Sequence, residues 1–316
     1  MTTEVAVDHK PVMVREVLAA LNVRPGGRYV DCTVGGGGHA LAIMEAASPG
    51  GSLLGIDRDP EALRRARERL APYEHEVRLV EGNFSDAGRI CREFAFTPVH
   101  GLLLDLGLSS LQLEEAERGF SFQREGPLDM RFGPDQELTA EQIVNDYDVD
   151  ALADVLHRYG EEPRARAIAR RIVERRPLRT TIELAKAVEE AVGGRVRRQS
   201  HPATRTFQAL RIAVNQELLS LDTALPQAYG LLGDFGRLVV LAYHSLEDRL
   251  VKEFLRRESR DCICPPRQPA CTCDHKAGLR QVSRGAVRPS PEEVAENPRS
   301  RSARLRVAER LPAAAS

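Results

Sequence analysis

The chain has 316 residues, 42% of them hydrophobic, which is enough for one large domain or two ordinary ones with a buried core. No apolar run approaches the roughly 20 residues of a membrane span, the N-terminus has no signal-peptide pattern, and six cysteines in a chain this long exclude a secreted disulfide scaffold, so a cytoplasmic protein without a membrane partner is expected. Net charge is −1 but unevenly spread: 15 Lys+Arg face 26 Asp+Glu in residues 1–150, against 14 and 6 in residues 155–215 and 14 and 8 in residues 250–316.

The chain opens with an amphipathic helical pattern over 8–24, ended by Pro25-Gly26-Gly27. A strand over 28–34 runs into Gly35-Gly36-Gly37-Gly38, and a helix over 39–47 follows. The next strand, 52–57, ends at Asp57. Asp59-Pro60 then starts a helix, with Asp as N-cap and Pro at the first position. A strand over 76–81 leads to Asn83-Phe84, and a helix over 86–94 to a strand ending at Asp105. Strand alternating with helix predicts an α/β fold with a parallel sheet. Residues 107–137 then read as a long polar loop, and Thr139 to about Leu225 as helix throughout. The rhythm resumes with a strand over 236–243 and a helix over 246–258. The expected organisation is a discontinuous α/β domain, 1–112 plus 217–316, interrupted by a helical insertion, 113–216, that recognises substrate.

Glycines after the first strand let a backbone approach a ligand closely, and the following helix offers unpaired N–H groups. Asp57 stands 22 residues after Gly35, where an acid can accept hydrogen bonds from ribose hydroxyls. Phe84 is placed to pack on adenine, and Asp105 ends the fourth strand. These features favour S-adenosylmethionine. Gly35-x-Gly37-x-x-Ala40 alone fits a dinucleotide fingerprint only loosely.

Longer motifs carry a resemblance. They include Asp105-Leu106-Gly107-Leu108-Ser109-Ser110 with Gln112, Arg118-Gly119-Phe120-Ser121-Phe122 and Gly126-Pro127-Leu128-Asp129-Met130-Arg131. Tyr159-Gly160-Glu161-Glu162, His201 to Ile212 and His244-Ser245-Leu246-Glu247-Asp248-Arg249 complete the set. From His9-Lys10-Pro11-Val12 to Ala303 the chain resembles the RsmH (MraW) family of small-subunit rRNA cytosine-N4 methyltransferases. The resemblance implies a class I S-adenosylmethionine-dependent methyltransferase fold, Rossmann-like, and N4-methylation of a cytidine in the decoding region of 16S rRNA. It implies cofactor contacts at Gly37, Gly38, His39, Asp57, Phe84, Asp105 and Gln112. Two departures stand out: Leu111 where the family has proline, and Ala242-Tyr243 where it has Ser-Phe.

The chemistry asks for alignment and for an acceptor of the N4 hydrogens, because the lone pair of cytosine N4 is delocalised into the ring. Asp105 is the first candidate acceptor. Ser109, Ser110 and the carbonyls of 106–109 come next, then Asp129 and His244. Target access requires an unstacked base. Phe120, Phe122 and Phe132 are candidates for stacking on it or, equally, for pinning the loop to a core. The basic middle and tail fit a polyanionic partner or, equally, an ordinary solvated helical surface; the resemblance implies 16S rRNA as that partner, within the small ribosomal subunit. Arg164, Arg166, Arg170, Arg171, Arg175, Arg176, Arg195, Arg197 and Arg198 are candidates for tracking phosphates, whereas Arg205 and Arg211, amid apolar residues, are expected to be buried and paired. Only four of the 45 basic residues are lysine, so arginine usage is a weak signal by itself.

Cys262-x-Cys264-x6-Cys271-x-Cys273 offers four thiols, the ligand set of a structural zinc, although C-x-C is rarer than C-x2-C. A reduced thiol loop is the alternative; Cys32 and Cys91 read as core. Two rival functions are an NAD-dependent oxidoreductase, for which no hydride-acceptor constellation is evident, and a non-catalytic ribosome-assembly factor, against which the intact Gly37, Gly38, Asp57 and Asp105 argue.

Overall fold

The computed structural model describes residues 11–312 apart from 110, 111, 114, 135, 194–200, 266 and 269. His9, Lys10, Ser110, Leu111, Arg195, Arg197 and Arg198 therefore lie outside the described residues. The chain forms two compact units, one made of residues up to Gly107 and from Leu218 onward, the other of Leu108–Glu217. Ser109 and Gln112 thus fall within the second unit.

The first unit is built on a seven-stranded sheet of order β3-β2-β1-β4-β5-β7-β6, with β1 at Arg28–Asp31, β2 at Ser52–Asp57, β3 at Val77–Glu81, β4 at Val99–Asp105, β5 at Leu232–Ala242, β6 at Leu279–Gln281 and β7 at Arg304–Arg310. Strands β1 to β5 pair in parallel, while β7 runs antiparallel to both β5 and β6. The central strands are short apolar runs buried on both faces, as the middle of a parallel sheet requires. Leu102, Leu103 and Leu104 of β4, and Leu238 to Leu241 of β5, are almost wholly buried. Each such side chain contributes about 1.5–3 kcal/mol of burial.

Helix α1 (Val14–Leu21) precedes β1, and helices α2 (Gly38–Ala47), α3 (Pro60–Arg69) and α4 (Ala87–Glu93) connect β1 to β2, β2 to β3 and β3 to β4. Helix α3 starts as its sequence dictates: Asp59 Oδ1 accepts from Glu61 N at 3.0 Å, and Pro60 occupies the first turn. Helix α1 is shorter than its apolar pattern predicts, because Met13 and Asn22 both adopt positive φ at its ends. Strand β1 stops at Asp31, three residues before the expected end, because the turn begins at Cys32.

Strands β6 and β7 answer to no expected element. Yet β7 alternates visibly: Leu305 and Val307 are buried, while Arg304 and Arg306 turn to Asp248 at 2.8 and 2.7 Å. Its partner β5 begins at Leu232, four residues earlier than predicted.

The second unit is a helical bundle: α5 (Ala140–Asp146), α6 (Val149–Gly160), α7 (Ala165–Glu174), α8 (Thr181–Val192) and α9 (Thr204–Asn215). Thr139 and Thr180 open α5 and α8 with complete capping boxes. Ile143, Leu152, Leu156, Ile168, Ile172, Leu184 and Leu210 fill the core. Helix α10 (Glu217–Leu231) then leads back to β5, and α11 (Ser245–Glu258) and α12 (Pro291–Glu296) complete the chain. Helix α10 runs past the predicted end at Leu225 and through Pro226, since Leu221, Leu225, Ala228 and Leu231 are all buried in one core cluster.

Candidate active site

The chain goes from β1 outward to β2 and β3, then returns to place β4 on the other side of β1. That reversal opens a crevice at the carboxyl ends of β1 and β4, where open α/β sheets bind ligands. Asp31, Asp57 and Asp105 close β1, β2 and β4, and Asn83-Phe84 follows β3. Asp57 is tied to its own turn: Oδ2 accepts from Gly35 N at 2.8 Å and Oδ1 from Asp59 N at 3.0 Å. Phe84 is half-buried against the sheet core, and Asn83 Oδ1 accepts from Ser85 N at 3.1 Å.

The four glycines do not share one role. Gly37 has φ +81, and a Cβ there would lie 3.2 Å from Ala66 Cα of α3; a Cβ on Gly38 would lie 2.5 Å from Pro11 Cγ. Both are needed for internal packing. Gly36 by contrast faces nothing within 4 Å, and a Cβ on Gly35 would meet only Thr33 O at 3.9 Å. The open stretch of backbone is therefore Gly35-Gly36, which the sequence motif does not separate from its neighbours. Gly37→Ala is expected to destabilise the fold by about 1–3 kcal/mol through backbone strain and the clash with α3. Gly36→Ala should leave the melting temperature within a degree or two yet weaken cofactor binding. Thermal melts and calorimetric titration of the two variants with S-adenosylhomocysteine check this, and equal affinities for Gly36→Ala and wild type would contradict it.

Asp31 was not among the predicted site residues. It is 1% exposed; Oδ1 accepts from Thr33 N at 3.1 Å, and Oδ2 has no hydrogen-bond partner among the described residues. Desolvation pushes its carboxyl up to about 7, partly offset by the His39 charge and the Thr33 N–H. Desolvation also pushes Asp57 up to about 6, against the backbone N–H donors of Asp59 and Gly35. An unfolded Asp titrates near 3.9, so the folded chain holds protons that the unfolded chain has released. That stabilisation is complete below pH about 4 and is lost as pH rises through the folded values. Asp31→Asn should accordingly gain stability relative to wild type as pH rises from about 4 to about 7, and the difference should stay constant above that. Melting temperatures of the two proteins across this range test it; parallel curves would contradict it.

Asp105 is held on three sides. Its backbone N donates to Thr33 Oγ1 at 2.7 Å, Tyr243 Oη donates to Oδ1 at 2.8 Å, and His39 Nδ1 lies 3.4 Å from Oδ2. His39 Nε2 lies 2.9 Å from Val12 O, so both ring nitrogens face acceptors and the imidazolium fits best. Burial opposes that charge, but the Asp105 carboxylate and then Asp31 outweigh it and raise the pKa. Desolvation, reinforced by Asp105, raises the Tyr243 hydroxyl well above its ordinary value and keeps it a donor. The Tyr that departs from the family pattern thus contacts the principal acid. Gly107, at φ +99, would bring a Cβ within 3.3 Å of the Tyr243 ring.

His244 caps α11 instead of pointing at a free acceptor. Its Nδ1 accepts from Glu247 N at 3.4 Å, Nε2 lies 3.1 Å from Glu247 Oε1, and Glu247 Oε2 accepts from Tyr243 N at 2.9 Å. This reciprocal capping box gives His244 a structural task at the end of β5.

In the helical unit, Ser109 and Gln112 bind each other: Ser109 N donates to Gln112 Oε1 at 3.0 Å, and Gln112 N to Ser109 Oγ at 3.2 Å. Gln112 is buried. Asp129 is occupied by Arg131, whose Nε and Nη2 reach its carboxylate at 3.0 and 2.7 Å. The phenylalanines of the 107–137 loop pin it to the helical core. Phe120 is buried and stacks on Phe132 at 5.6 Å, while Phe122 meets the His201 ring at 4.5 Å and Phe207 at 5.1 Å.

Most of the described arginines have protein partners. Arg166, Arg171 and Arg175 pair with Asp150, Glu174 and Glu190. Arg164 donates to Val192 O and Arg176 to Val144 O. Arg170 is exposed with no partner among the described residues. Arg211 is partly buried and bidentate to Glu217 at 2.7 and 2.8 Å. Arg205 corrects the sequence expectation: it is exposed and donates to Glu161 O at 3.0 Å, because it lies on the outer face of α9 beside the buried Thr206 and Phe207.

Within the α/β unit, an open glycine backbone, a buried Asp31 carboxyl oxygen with no hydrogen-bond partner among the described residues and the Asp57 carboxyl lie at the switch point. These donors and acceptors suit an adenosine-bearing cofactor with a charged amino-acid tail. A sheet of order β3-β2-β1-β4-β5-β7-β6 with β7 antiparallel, carrying these acids, defines a class I S-adenosylmethionine-dependent methyltransferase of Rossmann-like fold. The chain belongs to the MraW methylase family, whose sequence model matches residues 6–311. Its relatives include a "Ribosomal RNA small subunit methyltransferase H" of Dehalococcoides mccartyi, 58% identical over 303 residues covering 96% of this chain and 86% of the relative. Proteins of the same name from Thermomicrobium roseum, 54% identical over 96% of this chain and 94% of the relative, and from Syntrophotalea carbinolica, 51% identical over 98% and 100%, are similar along their whole length. No described helix is long and apolar enough to cross a membrane.

Proposed function

We propose that this protein methylates N4 of a cytidine in the decoding region of 16S rRNA, acting in the cytoplasm on RNA within the small ribosomal subunit. The observation that carries the reading is the Asp105 carboxylate at the switch point, held by Tyr243 and His39 while its backbone N–H is held by Thr33. When bound, S-adenosylmethionine supplies a methyl group already activated by its sulfonium.

The residues of this chain provide the rest. Asp57 accepts from ribose hydroxyls, and Phe84 packs on the adenine. Gly35 and Gly36 admit the amino-acid tail, with Gly37, Gly38 and His39 shaping the turn beside it and Asp31 Oδ2 receiving an amino group. Asp105 accepts a hydrogen bond from the target N4–H, which raises electron density on nitrogen and fixes its direction. Each carboxylate oxygen has a second lone pair, so the bonds to Tyr243 and His39 leave acceptor capacity. The N4 proton turns acidic as nitrogen is alkylated and passes to Asp105 or to water. Gln112 and Ser109 belong to the helical insertion, which recognises RNA. Its exposed ion pairs are each worth only about 0–1 kcal/mol, so phosphates can displace the carboxylates from Arg166, Arg171 and Arg175.

Thermal shift with cofactors separates this reading from an oxidoreductase. S-adenosylhomocysteine should stabilise the protein and NAD should not. The reverse pattern would end the proposal.

A further inference from the structure

The segment between α11 and β6 has no helix or strand among its described residues. It also has almost nothing apolar to bury: Ile263 is 38% exposed, and Cys262 and Cys271 are exposed. A loop of this length in a compact unit needs some other source of order. It contains Cys262, Cys264, Cys271 and Cys273, none of which the methyl-transfer site uses.

The four sulfurs converge, all lying within 4.8 Å of one another. Cys271 Sγ is 3.6 Å from Cys273 Sγ, which is 3.9 Å from Cys262 Sγ. A disulfide would bring two of them to about 2.05 Å. Four thiolates around one zinc at about 2.3 Å stand about 3.8 Å apart in a regular tetrahedron. The observed spacing matches the second case, and it is too tight for the corners of a polynuclear iron–sulfur cluster.

The surroundings also suit thiolates. Ile263 N donates to Cys273 Sγ at 3.4 Å and Thr272 N to Cys264 Sγ at 3.5 Å, so each half of the motif has a backbone N–H directed at a sulfur. Such donors orient metal-bound sulfurs and spread their charge. His275 is engaged elsewhere, with Nδ1 2.8 Å from Arg260 O and Nε2 3.4 Å from Glu258 Oε2, which leaves an all-sulfur ligand set.

We propose that Cys262, Cys264, Cys271 and Cys273 bind a single structural zinc ion that staples the loop joining α11 to β6. Binding displaces the thiol protons to solvent, and the ion takes the place of a hydrophobic core.

The full-length protein, made without a histidine tag and purified without chelators, should carry about one zinc per chain by elemental analysis. Less than about a tenth of an equivalent, or iron in its place, would overturn the proposal. Protein refolded with Co(II) should show the intense visible bands and sulfur-to-cobalt charge transfer of a tetrahedral tetrathiolate; weak octahedral bands would overturn it. In the double variant Cys264→Ser/Cys273→Ser the zinc should be lost, and full retention would overturn it. If that variant fails to fold, the cobalt spectrum of the wild-type chain decides.

Discussion

Asp105→Asn and Asp105→Ala should each lower methyl transfer by about 10²–10⁴-fold, the range expected when a positioned proton acceptor is removed. The asparagine variant is the sharper of the two. It keeps the shape of the side chain and an acceptor for the Tyr243 hydroxyl, which now lies 2.8 Å from Oδ1, but removes the charge beside His39. The alanine variant also leaves the Tyr243 hydroxyl and His39 Nδ1 without this acceptor. Asp105 is 23% exposed, so water can reach these groups and the loss of stability should stay within about 1–3 kcal/mol. Single-turnover rates at saturating cofactor, together with melting temperatures, give the two readouts. A folded Asp105→Asn protein with wild-type rate would remove Asp105 from its assigned role.

Asp57→Ala should weaken S-adenosylhomocysteine binding by about 10–100-fold. Hydrogen bonds to a charged acceptor contribute about 1.5–3 kcal/mol each, and tenfold in affinity is about 1.4 kcal/mol. The substitution also frees Gly35 N and Asp59 N from the contacts at 2.8 and 3.0 Å that order the two turns. Its effect therefore includes loosening of the glycine turn. At saturating cofactor the rate should recover most of its value, because Asp57 touches no reacting atom. Calorimetric titration and a cofactor-dependent rate curve distinguish the cases. Unchanged affinity, or a rate loss that saturation does not rescue, would contradict the assignment.

The parallel half of the sheet was legible in the residues, since each strand is a short apolar run that ends in an acid or a turn. Asp57, Phe84 and Asp105 could be placed because a strand end is where side chains leave the sheet. The antiparallel edge was hidden by its sequence distance and by the arginines of β7, which look like a solvated tail until Asp248 pairs with Arg304 and Arg306. Asp31 was overlooked because the expected strand runs on to residue 34 and puts this acid in its interior; its position at the end of β1, its burial and its unsatisfied oxygen distinguish it. The glycine run was visible as a turn. The division of labour within it depends on Ala66 and Pro11, which lie outside the motif. His39 and Tyr243 reach Asp105 from α2 and the end of β5, and no local pattern encodes that meeting.

The central claim is tested most directly by mass spectrometry of nucleosides from 16S rRNA of a strain lacking the gene and of the same strain complemented with wild-type or Asp105→Asn protein. N4-methylated cytidine should vanish from the decoding region in the deletion strain, return with the wild-type protein and stay absent with the variant. Its persistence unchanged in the deletion strain would contradict the account.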